Sequence, residues 1–200
     1  GIVVFYIAVL PLLGVGGVQL FKAEVPGPVA DKIKPRVRET AKFLWIIYVG
    51  ITSIEIIALR IAGMETFDSI CHAFTTMPTG GFSTKNASLA HYDNPMIHYI
   101  IIFFMFLAGI NFSLHFHAMS GSIKTYFRDT EFLVYFLIII SISSIIFFSL
   151  SYQSNTFSDL TLRESLFGTI AMLTGTGYVL GDYEIWPVFL QMILLTLMFV

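Results

Sequence analysis

Apolar residues arrive in this chain in blocks long enough to cross a bilayer, and few folds accommodate that pattern. A helix needs roughly 20 mostly apolar residues to traverse a hydrocarbon core about 30 Å thick. Runs approaching that length lie at Gly1 to Val18, Ala41 to Ala62, Pro95 to Leu114, Glu131 to Leu150 and Ile185 to Val200. Charged residues make up 12% of the chain against 56% hydrophobic, whereas a soluble domain carries about 25% charged residues. That deficit reads as lipid-facing surface, so the expected fold class is all-α, a polytopic membrane protein. The first run has no basic segment before it, unlike a signal peptide; it reads as the tail of a span, and Val200 also falls inside an apolar run. Cys71 is the only cysteine, so no internal disulfide can form.

The connectors differ in charge. Lys22, Lys32, Lys34, Arg36, Arg38 and Lys42 lie in the linker from Gln19 to Lys42, and Lys124 and Arg128 in that from His115 to Thr130. These are eight of the eleven Lys and Arg, and alternating spans put them all on one side. The other side carries Glu65, Asp68, Asp93, Asp159, Glu164, Asp182 and Glu184. The positive-inside rule makes the linkers 19–42 and 115–130 cytoplasmic. Glu24, Asp31 and Glu39 temper the first linker, and Pro26, Pro28 and Pro35 punctuate it, as in a solvated loop rather than a lipid patch. Neither this linker nor a net charge of −2 points to nucleic acid.

The outer connectors are more specific. Thr66 to Met77 can form a short helix, with Thr66 or Ser69 as cap and Asp68 near its positive end. Met77-Pro78-Thr79-Gly80-Gly81-Phe82-Ser83-Thr84 follows, and its Pro and Gly force an irregular backbone. Thr161 to Leu173 can likewise be helical, followed by Thr174-Gly175-Thr176-Gly177-Tyr178. A shift of 96 residues aligns Asp68 with Glu164, Ser69 with Ser165, Thr79 with Gly175, Gly81 with Gly177 and Phe82 with Tyr178. Pro95 and Pro187 then open the next apolar run in each copy. Both copies read as span, short helix, Thr/Gly loop, span, an internal repeat. Irregular backbone at membrane depth survives only inside protein or against a wet cavity. Half helices that end in such loops suit a cation pore. Their carboxyl ends carry negative partial charge, and glycine lets carbonyl oxygens replace an ion's hydration shell.

Other polar residues bear on this reading. Glu55 lies mid-span, where a carboxylate is expensive and often functional; Arg60, five positions on, is an imperfect helical partner. Asn111 can hydrogen-bond between helices. His115 and His117 point apart on a helix, and His72 falls on the opposite side, so no transition-metal site assembles. Gly14-Val15-Gly16-Gly17 lacks the Lys-Ser/Thr of a phosphate loop. An intramembrane enzyme would need clustered Ser/His, paired Asp or a His-rich motif within spans, and the sequence offers none.

The segment His72-Ala73-Phe74-Thr75-Thr76-Met77-Pro78-Thr79-Gly80-Gly81-Phe82-Ser83-Thr84 resembles a pore loop of the TrkH-type subunits in the Trk/Ktr/HKT superfamily of potassium transporters. Leu107-Ala108-Gly109-Ile110-Asn111-Phe112 resembles the helix after that loop. Pro11-Leu12-Leu13-Gly14-Val15-Gly16-Gly17-Val18-Gln19-Leu20 and Ala23-Glu24-Val25-Pro26-Gly27-Pro28 resemble the stretch joining the first two repeats, and Trp186-Pro187 the start of the helix closing the third. The resemblance implies four helix–pore-loop–helix repeats, potassium-channel-like, around one pseudo-fourfold axis. Residues 1–18 would end the first repeat and 19–40 form a cytoplasmic linker. Residues 41–117 would be the second repeat, with pore helix and filter loop at 66–84. A second linker would occupy 118–130, and 131–200 would hold the third repeat, with its pore helix and loop at 161–178. Gly81 and Gly177 would be the filter glycines, with Thr79, Gly80, Phe82, Thr174, Gly175, Thr176 and Tyr178 shaping the ion-binding ring. Pro78 and Gly175 depart from the family's small or Thr residues, which implies a looser third-repeat loop.

The expected function is potassium uptake across the cytoplasmic (inner) membrane, with a potassium ion at the filter loops and no organic cofactor in this chain. The resemblance implies a homodimer in membrane lipid with a nucleotide-binding cytosolic regulatory subunit. The alternative is an ion-coupled secondary transporter, a potassium or sodium symporter with discontinuous helices.

Overall fold

The computed structural model describes residues 37–119, 123–154 and 157–199. The expected span at 1–18, the linker 19–36 and the motifs within 11–28 lie outside the described residues. The elements described are helical: α1 (Val37–Ile61), α2 (Thr66–Thr76), α3 (Pro95–Ala108), α4 (Phe112–Met119), α5 (Thr130–Ser154), α6 (Asp159–Leu173) and α7 (Val188–Leu197), with short 3-10 turns at Ser88–His91, Ile123–Arg128 and Tyr183–Ile185. The described residues form two compact units: those within 37–51 and 110–134, and those within 52–109 and 135–199.

In the larger unit, α6 packs on α3 and α7, and α2 packs on α3. Its core joins Leu59, Ile97, Ile101, Met105, Phe167, Ile170 and Tyr178. A second cluster sets Ile146 against Trp186, Leu190, Leu194 and Leu197. The outward faces stay apolar: Ile54, Ile57 and Ile61 on α1, and Leu137, Ile140 and Phe148 on α5, are all exposed. Water would penalise such continuous faces; lipid does not. Between helices in lipid, apolar burial supplies little drive, so close packing and hydrogen bonds carry the association.

In the smaller unit, α4 packs against the Ile123–Arg128 turn. His115 Nδ1 lies 2.7 Å from the Tyr126 hydroxyl, and Phe43 meets Phe116 edge to face.

Phe43–Ile61 and Thr130–Gln153 are long and apolar enough to cross a membrane. The expected span from Pro95 to Leu114 is instead broken. Asn94 and Pro95 start α3 cleanly, the Asn94 side chain accepting from Met96 N at 3.0 Å. Its 14 residues rise only about 21 Å. The chain then turns at Gly109, whose absent Cβ would lie 2.5 Å from the Tyr135 hydroxyl and 2.8 Å from Thr174 Cγ2. Tyr135 itself donates to Phe106 O at 3.2 Å, near the end of α3. Asn111 belongs to the same break. The interhelical bond expected of it is replaced by a local one: its Oδ1 accepts from Ser113 N at 3.0 Å and caps α4.

Candidate functional site

The two pore helices start differently. Helix α2 has extended Glu65 as its cap residue, with no side-chain cap bond; neither Thr66 nor Ser69 caps it, and Ser69 Oγ donates back to Glu65 O at 2.8 Å. Helix α6 begins two residues before the expected Thr161, because the Ser158 hydroxyl accepts from Thr161 N at 3.1 Å.

Their carboxyl ends are alike. Gly81 N donates to Thr75 O at 3.1 Å, and Gly177 N to Ala171 O at 3.1 Å, a pair of bonds related by the same 96-residue shift. The backbone follows suit. Thr79 (φ 55°) matches Gly175 (φ 70°), and Gly81 (φ 64°) matches Gly177 (φ 73°), all left-handed, while Gly80 and Thr176 between them are not. Thr79 holds this conformation at a cost that Gly175 avoids; its hydroxyl donates to Pro78 O at 2.8 Å.

Alternating hand has a chemical consequence. In an ordinary strand, successive carbonyls point to opposite sides; a left-handed residue at every second position turns neighbours toward one side. Among the described residues, no donor reaches the carbonyl oxygens of Thr79, Gly80, Gly81, Gly175, Thr176 or Gly177. Six bare oxygens at the negative ends of two helices can coordinate a hard cation.

The loops touch. A Cβ on Gly81 would fall on the Thr176 carbonyl and reach Gly177 C at 3.3 Å, so only glycine permits this approach. Thr174 Oγ1 bonds to Ile170 O and to Thr176 Oγ1, both at 2.8 Å. Phe82 and Tyr178, equivalent in the repeat, differ in environment. Phe82 is 76% exposed, whereas Tyr178 is fully buried. The Tyr178 hydroxyl lies 2.6 Å from Thr75 Oγ1, 3.3 Å from Thr76 Oγ1 and 3.1 Å from His72 O. Thr75 Oγ1 in turn is 2.7 Å from Phe82 O. The Phe82 carbonyl is thereby engaged, unlike its three predecessors.

Side chains behind the first loop pin it. Buried Asp68 accepts from Thr84 Oγ1 at 2.7 Å and from Tyr92 at 2.8 Å, with Lys85 Nζ at 3.1 Å. Burial pushes this carboxyl up, but the bonds from Thr84, Tyr92 and Lys85 outweigh it and hold the group below the ordinary carboxylate range. Buried His72 donates from Nδ1 to Asp68 O at 2.8 Å, leaving Nε2 to accept from Ser83 Oγ at 2.9 Å. Desolvation lowers its affinity for a second proton. Behind α6, Arg163 donates to Asp159 at 2.8 Å and to His98 Nδ1 at 2.8 Å; Tyr99 donates to the same Asp159 at 2.6 Å.

Glu55 is fully buried. Arg60 does not serve it: Arg60 Nη1 donates to Met64 O at 3.2 Å. The Glu55 carboxyl faces the Thr76 hydroxyl, yet neither oxygen completes a hydrogen bond. Among the described residues no group of three or more His, Cys, Asp or Glu is placed to hold a metal, and the His117 side chain lies outside them.

Sequence reasoning missed Thr75, His72, Tyr92, Arg163 and His98. Thr75 meets Tyr178, Tyr92 meets Asp68 and Arg163 meets His98 across 24 to 103 residues, where spacing gives no sign; the His72–Asp68 and Arg163–Asp159 bonds, four residues apart, were open to helical spacing. One signal was available for Thr75: it is the polar member of a repeat pair whose other member is Ala171.

Comparison with known proteins extends beyond this geometry. The sequence model of the TrkH family, described as a cation transport protein, matches residues 1–200. The Escherichia coli K12 "Trk system potassium uptake protein TrkH" is 42% identical over 206 residues, covering 100% of this chain and 42% of that protein. The TrkG protein of the same strain is 37% identical over 94% of this chain and 39% of its own length. The crystal structure titled as the potassium transporter TrkH from Vibrio parahaemolyticus superposes with a TM-score of 0.78 at 34% identity, over 98% of this chain and 40% of that one. The chain thus spans about two fifths of the length of these relatives. Its match to the family along its whole length, with an all-α membrane fold in common, makes it a member of the TrkH family of cation transport proteins.

Proposed function

We propose that this chain supplies two quadrants of a pore that takes up potassium across the cytoplasmic (inner) membrane. The carbonyls of Thr79, Gly80, Gly81, Gly175, Thr176 and Gly177 strip the ion of its water. Thr174, Phe82 and Tyr178 hold the shape of the ring from outside it. The observation that carries this reading is the duplicated left-handed pattern, Thr79 and Gly81 against Gly175 and Gly177, in two loops that meet backbone to backbone. Bare carbonyls favour a weakly hydrated cation because they replace its shell without a counter-charge to trap it.

The basic linkers 19–42 and 115–130 face the cytoplasm in this reading. The relatives are named as parts of a Trk system, which fits a homodimer in the lipid bilayer served by a nucleotide-binding cytosolic regulatory subunit.

A coupled carrier is the second reading, and the break between α3 and α4 favours it, since carriers bind cargo at interrupted helices. The Asn111 side chain is occupied in capping α4, and the Tyr135 hydroxyl beside Gly109 already donates to Phe106 O, so both polar groups are engaged within the protein. The pore reading is the stronger.

The test is uptake by the intact transporter in a potassium-starved host deleted for its own systems. Restored growth and a potassium preference over sodium that collapses in Gly81→Ser support the filter. Full potassium discrimination in a stably inserted Gly81→Ser protein refutes it.

A further inference from the structure

The bonds around Thr75 reach further than a pore helix needs. Its carbonyl accepts from Gly80 N at 2.8 Å and Gly81 N at 3.1 Å, the main-chain bonds that set the first loop. Ala171, its equivalent in the third repeat, accepts from Gly177 N in the same way. Main chain alone therefore suffices to close that turn. The Thr75 hydroxyl is additional, and four oxygens crowd it: Cys71 O at 3.0 Å, His72 O at 3.1 Å, Phe82 O at 2.7 Å and Tyr178 Oη at 2.6 Å.

Proton bookkeeping orders this cluster. The Thr75 and Tyr178 oxygens, 2.6 Å apart, share one proton. Tyr178 has two acceptors, His72 O at 3.1 Å and Thr75 Oγ1 at 2.6 Å; given to the shorter contact, its proton leaves that of Thr75 for Phe82 O, the nearest carbonyl. The resulting chain runs from Tyr178 O–H to Thr75 Oγ1, and from Thr75 O–H to Phe82 O. It begins in one loop and ends on the main chain of the other. Tyr178 and Thr75 are buried or half-buried, where linked hydrogen bonds strengthen one another.

Resting on the filter reading above, we infer that Thr75 is a specificity-determining positioning residue, whose hydroxyl couples Tyr178 of the second loop to the Phe82 carbonyl of the first. It acts by holding Phe82 O turned away, which orients the peptide planes of Gly80 and Gly81 just before it. The relay is asymmetric. Ala171 carries no hydroxyl and Phe82 none, so the same operation applied one repeat onward cannot rebuild it from these residue types.

The experiment uses the intact transporter, with potassium against sodium uptake measured for Thr75→Val, Thr75→Ser, Tyr178→Phe and the double variant Thr75→Val/Tyr178→Phe. Gly81→Ser is run alongside, and the amount of inserted protein is measured for each. The relay requires five- to tenfold loss of discrimination in Thr75→Val and in Tyr178→Phe, retention in Thr75→Ser, and no greater loss in the double variant than in either single one. Tyr178→Phe removes one oxygen and keeps the ring, so it tests the relay even if Thr75→Val fails to fold. Multiplying losses in the double variant, or unchanged discrimination in Tyr178→Phe, overturn the relay. If Gly81→Ser still lowers discrimination, the relay alone has failed; if Gly81→Ser is also silent, the filter reading has failed.

Discussion

Gly81→Ser is the perturbation whose size can be worked from the geometry. Two separate costs arise. A side chain at φ 64° meets the left-handed penalty of about 1–2 kcal/mol. Its Cβ then falls on the Thr176 carbonyl, and main chain cannot rotate aside as a side chain would. Forcing an extra group into a packed site costs about 1–3 kcal/mol. Gly175→Ser isolates the first cost, because φ there is 70° and nothing lies within 4 Å of the added atom. The difference between the two variants is the collision, and it acts on a carbonyl assigned to the ion. If that 1–3 kcal/mol is expressed as lost preference for potassium, discrimination falls about five- to a hundredfold, at tenfold per 1.4 kcal/mol. The assay is competition of sodium with rubidium or potassium uptake in whole cells, normalised to inserted protein. Equal behaviour of Gly81→Ser and Gly175→Ser would refute the reasoning, since the two share strain and differ only in the clash.

Three further outcomes follow from the bonds around the loops. Asp68→Asn should weaken the intact protein by about 1–3 kcal/mol, as charged hydrogen bonds become neutral ones. Asp68 is held below its ordinary value in the folded state, so its contribution is full above the unfolded value near 3.9 and fades as pH falls through the depressed folded one; melting of both proteins across pH 3–7 should converge only at the acid end. Arg163→Met should cost about 1–3 kcal/mol by leaving His98 Nδ1 buried without a donor, read as lower thermal stability in detergent, with Arg163→Lys restoring part. Gly109→Ala should destabilise through contact with the Tyr135 hydroxyl, and Tyr135→Phe added to it should recover part of the loss; no recovery would mean that Thr174 is the obstacle.

The sequence alone determined the class of fold and the repeat. Apolar blocks the length of a bilayer admit little besides spanning helices, and the 96-residue shift carried Thr79 onto Gly175 and Gly81 onto Gly177, four positions at which the backbone turns left-handed. Local chemistry sufficed there, because Pro, Gly and periodicity act on their own neighbourhood. Tertiary structure decided the remainder. The run from Pro95 to Leu114 reads as one span, with Gly109 and Asn111 as its only local breakers; what fixes the break is the Tyr135 hydroxyl and Thr174 methyl pressed on Gly109, contacts 26 and 65 residues away. Phe82 and Tyr178 are equivalent by repeat, yet only Tyr178 is buried behind the other pore helix. Residue type fixes what a side chain can bond; which partner it meets is set by how helices distant in sequence pack, and no spacing along the chain encodes that.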